Sequence, residues 1–217
     1  MKAGSSVSLV PGRPGEQVTK RCSLLVLSIV LGVTFSGATQ GAVICVDVNG
    51  PPSGDGSSWV APLQSIQEGI TAAASGDEIW VAQGVYREAI TMASGVALYG
   101  GFISGESDLE SRDLAAYVTT IDASTADAGG PADHVVVMEG LVGSRLDGFT
   151  ITGGLADGPG EHRNGGGIFC KNLDETNTIA NCTITNNKTG NGFLGGTEEE
   201  KNGGNGGGLY LYLASPS

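Results

Sequence analysis

Residues 146–154 read LDGFTITGG, and residues 179–187 read IANCTITNN. Laid on each other with a shift of 33, Leu146 meets Ile179, Phe149 meets Cys182, and Thr150, Ile151 and Thr152 meet the identical Thr183, Ile184 and Thr185. A second pair repeats beside the first: GGGIFC at 165–170 answers GGGLYL at 206–211. The order is a GGG-strand, a loop and a TIT-strand, and a second round has begun where the sequence stops. Self-similarity at a period of some 20–50 residues is the mark of a solenoid.

The residue types explain how such a chain turns. Strands on successive rungs stack about 4.8 Å apart, and the chain bends between them without a hairpin. Glycine reaches the positive φ values that corners need. Asparagine tolerates the same left-handed corner and bonds to local backbone. Stacked asparagines can also run as a ladder. Every second residue of a strand faces inward, so Phe149 with Ile151, Cys182 with Ile184, and Ile168 with Cys170 fill the interior, leaving Thr183 and Thr185 outside.

Working toward the N-terminus, HVVVMEG, TTID, VALYGGF, AITM and EIWVAQGVYRE are short runs divided by Gly, Ser or Asp, which reads as strands and turns. Ile79 and Val81 share one side, with Trp80 on the other. The linkers lack the Asn-Gly signal of two-residue hairpins. Too few segments read as helical for a βαβ sheet. One helix is predicted from Pro62, with Leu63, Ile66, Ile70 and Ala73 on one face and Gly76 at its left-handed end. Gly69 weakens it by about 1 kcal/mol relative to alanine, so packing must hold it in place. VICVDV at 43–48 alternates as a strand.

Composition narrows the partners. The 217 residues carry a net charge of -12, which argues against nucleic acid and anionic membrane, since phosphate is met by Lys and Arg. There are 37 glycines but no strict triplet, so collagen is excluded, and 40% hydrophobic residues exclude a disordered tail. Lys20 and Arg21, the 14-residue run CSLLVLSIVLGVTF and the small-residue stretch SGATQGA form the three parts of a secretory signal, with cleavage after Ala38 or Ala42. The run is shorter than the roughly 20 residues of a membrane span. Nothing else in the sequence is long and apolar enough to span, so the mature segment is expected to be soluble. Cys22 would leave with the signal. Cys45, Cys170 and Cys182 remain, an odd number that leaves at least one thiol unpaired or intermolecular. Cys170 and Cys182 read as an inward, buried thiol pair.

From DEIWVAQGVYRE through GVALYGGF, TTIDAS, LDGFTITGG, GGGIFC and IANCTITNN, the chain resembles the right-handed parallel β-helix repeat proteins of bacteria, the pectate-lyase-like superfamily. GGGI with ITNN is also similar to the repeats of polymorphic outer-membrane proteins, with Ile184 where Phe is usual. The resemblance implies an all-β, right-handed parallel β-helix, which the helix predicted from Pro62 would cap at its N-terminal end. It implies no single function, because that class holds lyases, hydrolases and adhesins. For a lyase it would imply calcium held by acidic groups beside an Arg or Lys base; for a hydrolase, paired carboxylates.

The best outer-loop cluster is LADGPGEHRNGG, which offers Asp157, Glu161, His162 and Arg163 between two matched strands. Glu and Asp could hold a cation, with Arg or His near a sugar; a plain solvated turn stands as the alternative. Asp133 and His134 precede a strand. Asp122 and Asp147 flank strands and face outward as turn acids. Glu198, Glu199 and Glu200 read as a solvated loop. GGNGGGLYL lacks the Asp of a calcium nonapeptide, and no Gly-Lys-Ser/Thr makes the glycine tracts a phosphate loop.

The expected organisation is a signal and cleavage region over 1–42, a strand and capping helix over 43–78, and β-helix rungs over 79–217. The last rungs are expected to continue in a longer protein, because an open end exposes strand edges. The expected function is a secreted or cell-surface, non-catalytic module that binds polysaccharide or cell-surface glycan. The alternative is a polysaccharide lyase or glycoside hydrolase with its groove largely beyond residue 217. No cofactor is assigned; calcium belongs to the lyase alternative.

Overall fold

The computed structural model describes residues 41–190 and 204–213. Apart from Gly41 and Ala42, the expected signal lies outside the described residues, as do Glu198, Glu199 and Glu200. Along the chain the strands are β1 (Val43–Val46), β2 (Glu78–Ala82), β3 (Gly84–Tyr86), β4 (Ile90–Thr91), β5 (Ala97–Phe102), β6 (Thr119–Asp122), β7 (Val136–Glu139) and β8 (Arg145–Asp147). They continue with β9 (Phe149–Thr152), β10 (Leu155–Ala156), β11 (Ile168–Lys171), β12 (Thr178–Ala180), β13 (Thr183–Ile184), β14 (Lys188–Thr189) and β15 (Leu209–Tyr212). The fold is predominantly β, and these strands pair in parallel.

Three sheets carry the fold. Sheet A has the order β1-β2-β5-β8-β12, sheet B has β13-β9-β6-β3, and sheet C has β15-β11-β7-β4. Successive passes of the chain thus add strands to the same three sheets. Both internal repeats pair in the register that their sequences predict. Leu146 lies opposite Ile179 and Ile151 opposite Ile184. Ile168, Phe169 and Cys170 lie opposite Leu209, Tyr210 and Leu211.

The register builds aliphatic columns. In sheet A, Ile44, Ile79, Leu98, Leu146 and Ile179 follow one another strand by strand. Tyr86, Ile121, Ile151 and Ile184 do so in sheet B, and Ile90, Val136, Ile168 and Leu209 in sheet C. Most of these side chains are buried in one core. Burying one such side chain is worth about 1.5–3 kcal/mol. Ile184 is only partly buried and Leu209 is exposed. Polar groups drawn inside are bonded: the Tyr86 hydroxyl donates to the Ala82 carbonyl at 3.0 Å, and Thr119 Oγ1 accepts from the Gly101 amide at 2.9 Å.

The corners use glycine and asparagine interchangeably. Gly148 (φ +87°) is matched one pass later by Asn181 (φ +52°), and Gly153 (+85°) by Asn186 (+55°). These are left-handed positions that most side chains avoid. The Asn205 amide donates to Oδ1 of Asn164, its counterpart one pass earlier, at 2.8 Å. Asn187 accepts from the Gly154 amide at 2.9 Å and donates to the Ile151 carbonyl at 2.8 Å, tying its pass to the one before.

The helix is shorter than its periodicity predicts. It runs Ile66–Ala72, and we label it α1. Leu63 is taken by a bridge to Val46, and Ser65 caps the helix by accepting from the Glu68 amide at 3.3 Å. The Glu88 carboxylate accepts from the Ile66 and Gln67 amides and the Ser65 hydroxyl, so the first turn is fixed from another pass. Gly76 has a left-handed φ of +100° but lies beyond the helix end at Ala73. Gly69 has a packing role: a Cβ there would stand 3.1 Å from Val46 and 3.2 Å from Ile79. Among the described residues no helix is long and apolar enough to cross a membrane.

Candidate functional site

The alternation that fills the core also selects the outward side chains. On sheet A, Cys45, Trp80, Tyr99, Asp147 and Ala180 stand in register on the outer face. The 103–118 segment, which links β5 to β6, folds against this face. Leu114 lies where a Cβ on Gly148 would come within 2.7 Å, so that corner is glycine for space as well as for φ. Arg112 from the same segment sits over the Tyr99 ring, 5.0 Å from its centroid.

Asp147 is the electrostatic centre of this face. Its side chain is 1% exposed. Arg145 donates to one oxygen from Nε at 3.0 Å and Nη2 at 2.6 Å. Asn181 donates to the other at 2.9 Å, and Arg112 stands 3.5 Å away. Burial alone would raise this carboxyl's pKa. The Asn181 and Arg145 hydrogen bonds and both guanidinium charges outweigh it and hold the group below the usual carboxylate range. Tyr99 is pushed the other way, by burial and then by Glu78.

Beside this network, Trp80 stacks on Phe102 with centroids 4.7 Å apart, and its Nε1–H donates to Glu78 at 2.8 Å. Val43, Glu78 and Trp80 form one wall of a cleft of about 470 Å³. Ser107, Asp108 and Leu109 form the other. That volume lies within the range of small-ligand sites.

Sheet C carries the predicted outer-loop cluster. A 3₁₀ turn, Gly160–Arg163, places Glu161 and His162 over the outer face. With His134, Val137, Glu139 and Phe169 they line a smaller cleft of about 140 Å³. Lys171 lies between Glu161 and Glu139 and bonds both, and His162 Nδ1 is 3.3 Å from Asp133. The His134 ring stacks between His162 and Phe169, and Tyr210 continues the column. His134 Nδ1 is 3.1 Å from the Gly165 carbonyl, which places its proton on Nδ1. Burial lowers the His134 pKa, and the pull of Gly165 and Asp133 does not restore it. Asp157 and Arg163 do not line this cleft. The structure therefore gathers Glu161 and His162 from the predicted set, and adds His134, Glu139 and Lys171.

No family model, curated protein or solved structure matches this chain. Among the described residues, no three His, Cys, Asp or Glu side chains are grouped to hold a metal ion. Asp122, the other outward acid named from sequence, pairs with Arg87 at 2.9 Å. Cys45, Cys170 and Cys182 are free thiols; burial pushes Cys45 and Cys170 up to about 11, far from a reactive thiolate.

Sequence reasoning missed Trp80, Glu78, Asp108, Arg112 and Arg145 as neighbours. One signal was present. Arg145 and Asp147 are two apart on a strand, so both project to the same face, immediately before the repeated TIT.

Proposed function

We propose that this chain is an exported, right-handed parallel β-helix, closed at one end by α1, that binds glycans or other cell-surface partners without chemical turnover. Three parallel sheets fed in rotation, aliphatic columns inside and left-handed Gly/Asn corners support the β-helix. The basic, apolar and small-residue order before residue 43 supports export to the cell surface or beyond.

The observation that carries the binding reading is the cleft of about 470 Å³ between the outer face of sheet A and residues 107–109. It joins an indole to two carboxylates, the mixture of apolar surface and hydrogen-bonding groups that suits sugars. The outward acids Asp122, Asp147 and Glu161 are each engaged by Arg or Lys. Each is thus engaged rather than free to act as a general acid or base, which favours binding over the polysaccharide lyase or glycoside hydrolase alternative.

The test is calorimetric titration of the full chain with a panel of oligosaccharides, alongside tryptophan fluorescence. Saturable binding that Ser107→Trp abolishes by filling the cleft, and that Lys171→Ala on sheet C leaves intact, is expected. A panel with no ligand overturns the reading. Release of unsaturated uronide from pectin or alginate in the presence of calcium, lost on chelation, establishes the lyase instead.

A further inference from the structure

The charges of the outer face of sheet A are sorted along it. Arg112 and Arg145 converge on Asp147, whose single carboxylate offsets one of their two positive charges. The cleft lies elsewhere on the face, and among its described lining residues Glu78 and Asp108 are charged and none is basic. Each of these carboxylates is oriented by one local bond. Glu78 Oε2 accepts the Trp80 indole N–H at 2.8 Å, and Asp108 Oδ1 accepts the Glu110 amide at 3.0 Å. The second oxygen of each has no partner among the described residues. Two positioned acceptors therefore border a cleft with an indole wall, in a chain whose net charge is -12.

Resting on the reading of this cleft as a glycan site, we propose that its ligand is a sugar carrying a protonated amino group. An ammonium in a cleft bordered by Glu78 and Asp108 is attracted by both carboxylates. Neutral sugars gain only hydrogen bonds. Uronates bring a carboxylate toward two others and are repelled. The site thus discriminates by charge, and it excludes the acidic polymers that lyases of the resembled class would cleave.

The experiment compares three ligand sets of matched length on the full chain: β-linked glucosamine oligomers, their N-acetylated counterparts and galacturonate oligomers. The titrations are run at about pH 6, where an amino group is protonated. Glucosamine oligomers are expected to bind about tenfold tighter than the N-acetylated ones at low salt, with the ratio shrinking to about twofold at 0.5 M salt. Galacturonate oligomers are expected not to bind. In the Glu78→Gln, Asp108→Asn double variant the preference for the amine is expected to fall to about twofold or less at low salt. Binding of N-acetylated or galacturonate oligomers as tight as that of glucosamine overturns the inference while leaving a glycan site in place. No binding by any of the three removes the glycan reading, and this inference with it.

Discussion

On sheet A, one carboxylate, Asp147, is 1% exposed and gathers Arg145, Arg112 and Asn181 around it. On sheet C, one cation, Lys171, is 23% exposed and lies between Glu139 and Glu161, whose side chains are 53% and 57% exposed. Both arrangements hold a central charge between partners drawn from different segments, yet their energetic meaning differs. In the first, water cannot replace a lost partner. In the second it can. The difference teaches that a cluster of charges on an outer face is structural or adaptable according to the exposure of its centre, not its size.

The strongest way to break this comparison is to remove the two centres. Asp147→Ala leaves two guanidinium groups and an amide without their acceptor, and a loss of about 3 kcal/mol is expected in urea unfolding. Lys171→Ala is expected to leave the unfolding midpoint unchanged within error. Equal losses would erase the distinction.

The acid limbs sharpen it next. Asp147 has a folded pKa below its unfolded value of about 3.9. Its contribution is therefore complete above that value and lost as pH falls through the lowered folded pKa. Thermal melts should drop steeply below about pH 4, and Asp147→Asn should flatten that drop, at the cost of a lower starting stability.

His134 acts at milder pH. Its folded pKa also lies below its unfolded value of about 6.5. The stability from its neutral form is complete above pH 6.5 and declines as pH falls toward the lowered value. A melting temperature that falls between about pH 6.5 and 5, and stays level over that window in His134→Phe, is the expected outcome. A Phe there keeps the ring contact with Phe169 while removing the proton.

The smallest effect concerns the exposed pair itself. Glu161→Gln is expected to shift the melting temperature by less than about 1 °C at any salt concentration, because an exposed ion pair contributes little. A salt-dependent loss would show sheet C to be as rigid as sheet A.

The columns of the core were legible because inner positions repeat an aliphatic side chain wherever the strands align. Leu146 and Ile179, or Ile151 and Ile184, declare their pairing by aliphatic character at a constant spacing. The α1 boundary was less legible, because Leu63 has the helical period yet is claimed by Val46, and because Glu88 reaches the first turn from 21–23 residues away. The candidate cleft was illegible. Its walls come from residues 41–80 and 107–109, and only the folding of the 103–118 segment onto sheet A joins them. Of the predicted loop cluster, Glu161 and His162 met because one tight turn holds both, whereas Asp157 precedes that turn and lies outside the cleft.

That 103–118 segment carries a broader consequence. Leu98 still faces Leu146, and Ile121 still faces Ile151, although sixteen residues are interposed between β5 and β6. The scaffold thus tolerates interruptions at its bends without losing count. Under the proposed binding reading, such inserts can be exchanged to change what is bound, much as a tool handle accepts different heads, while the load on the interior stays constant.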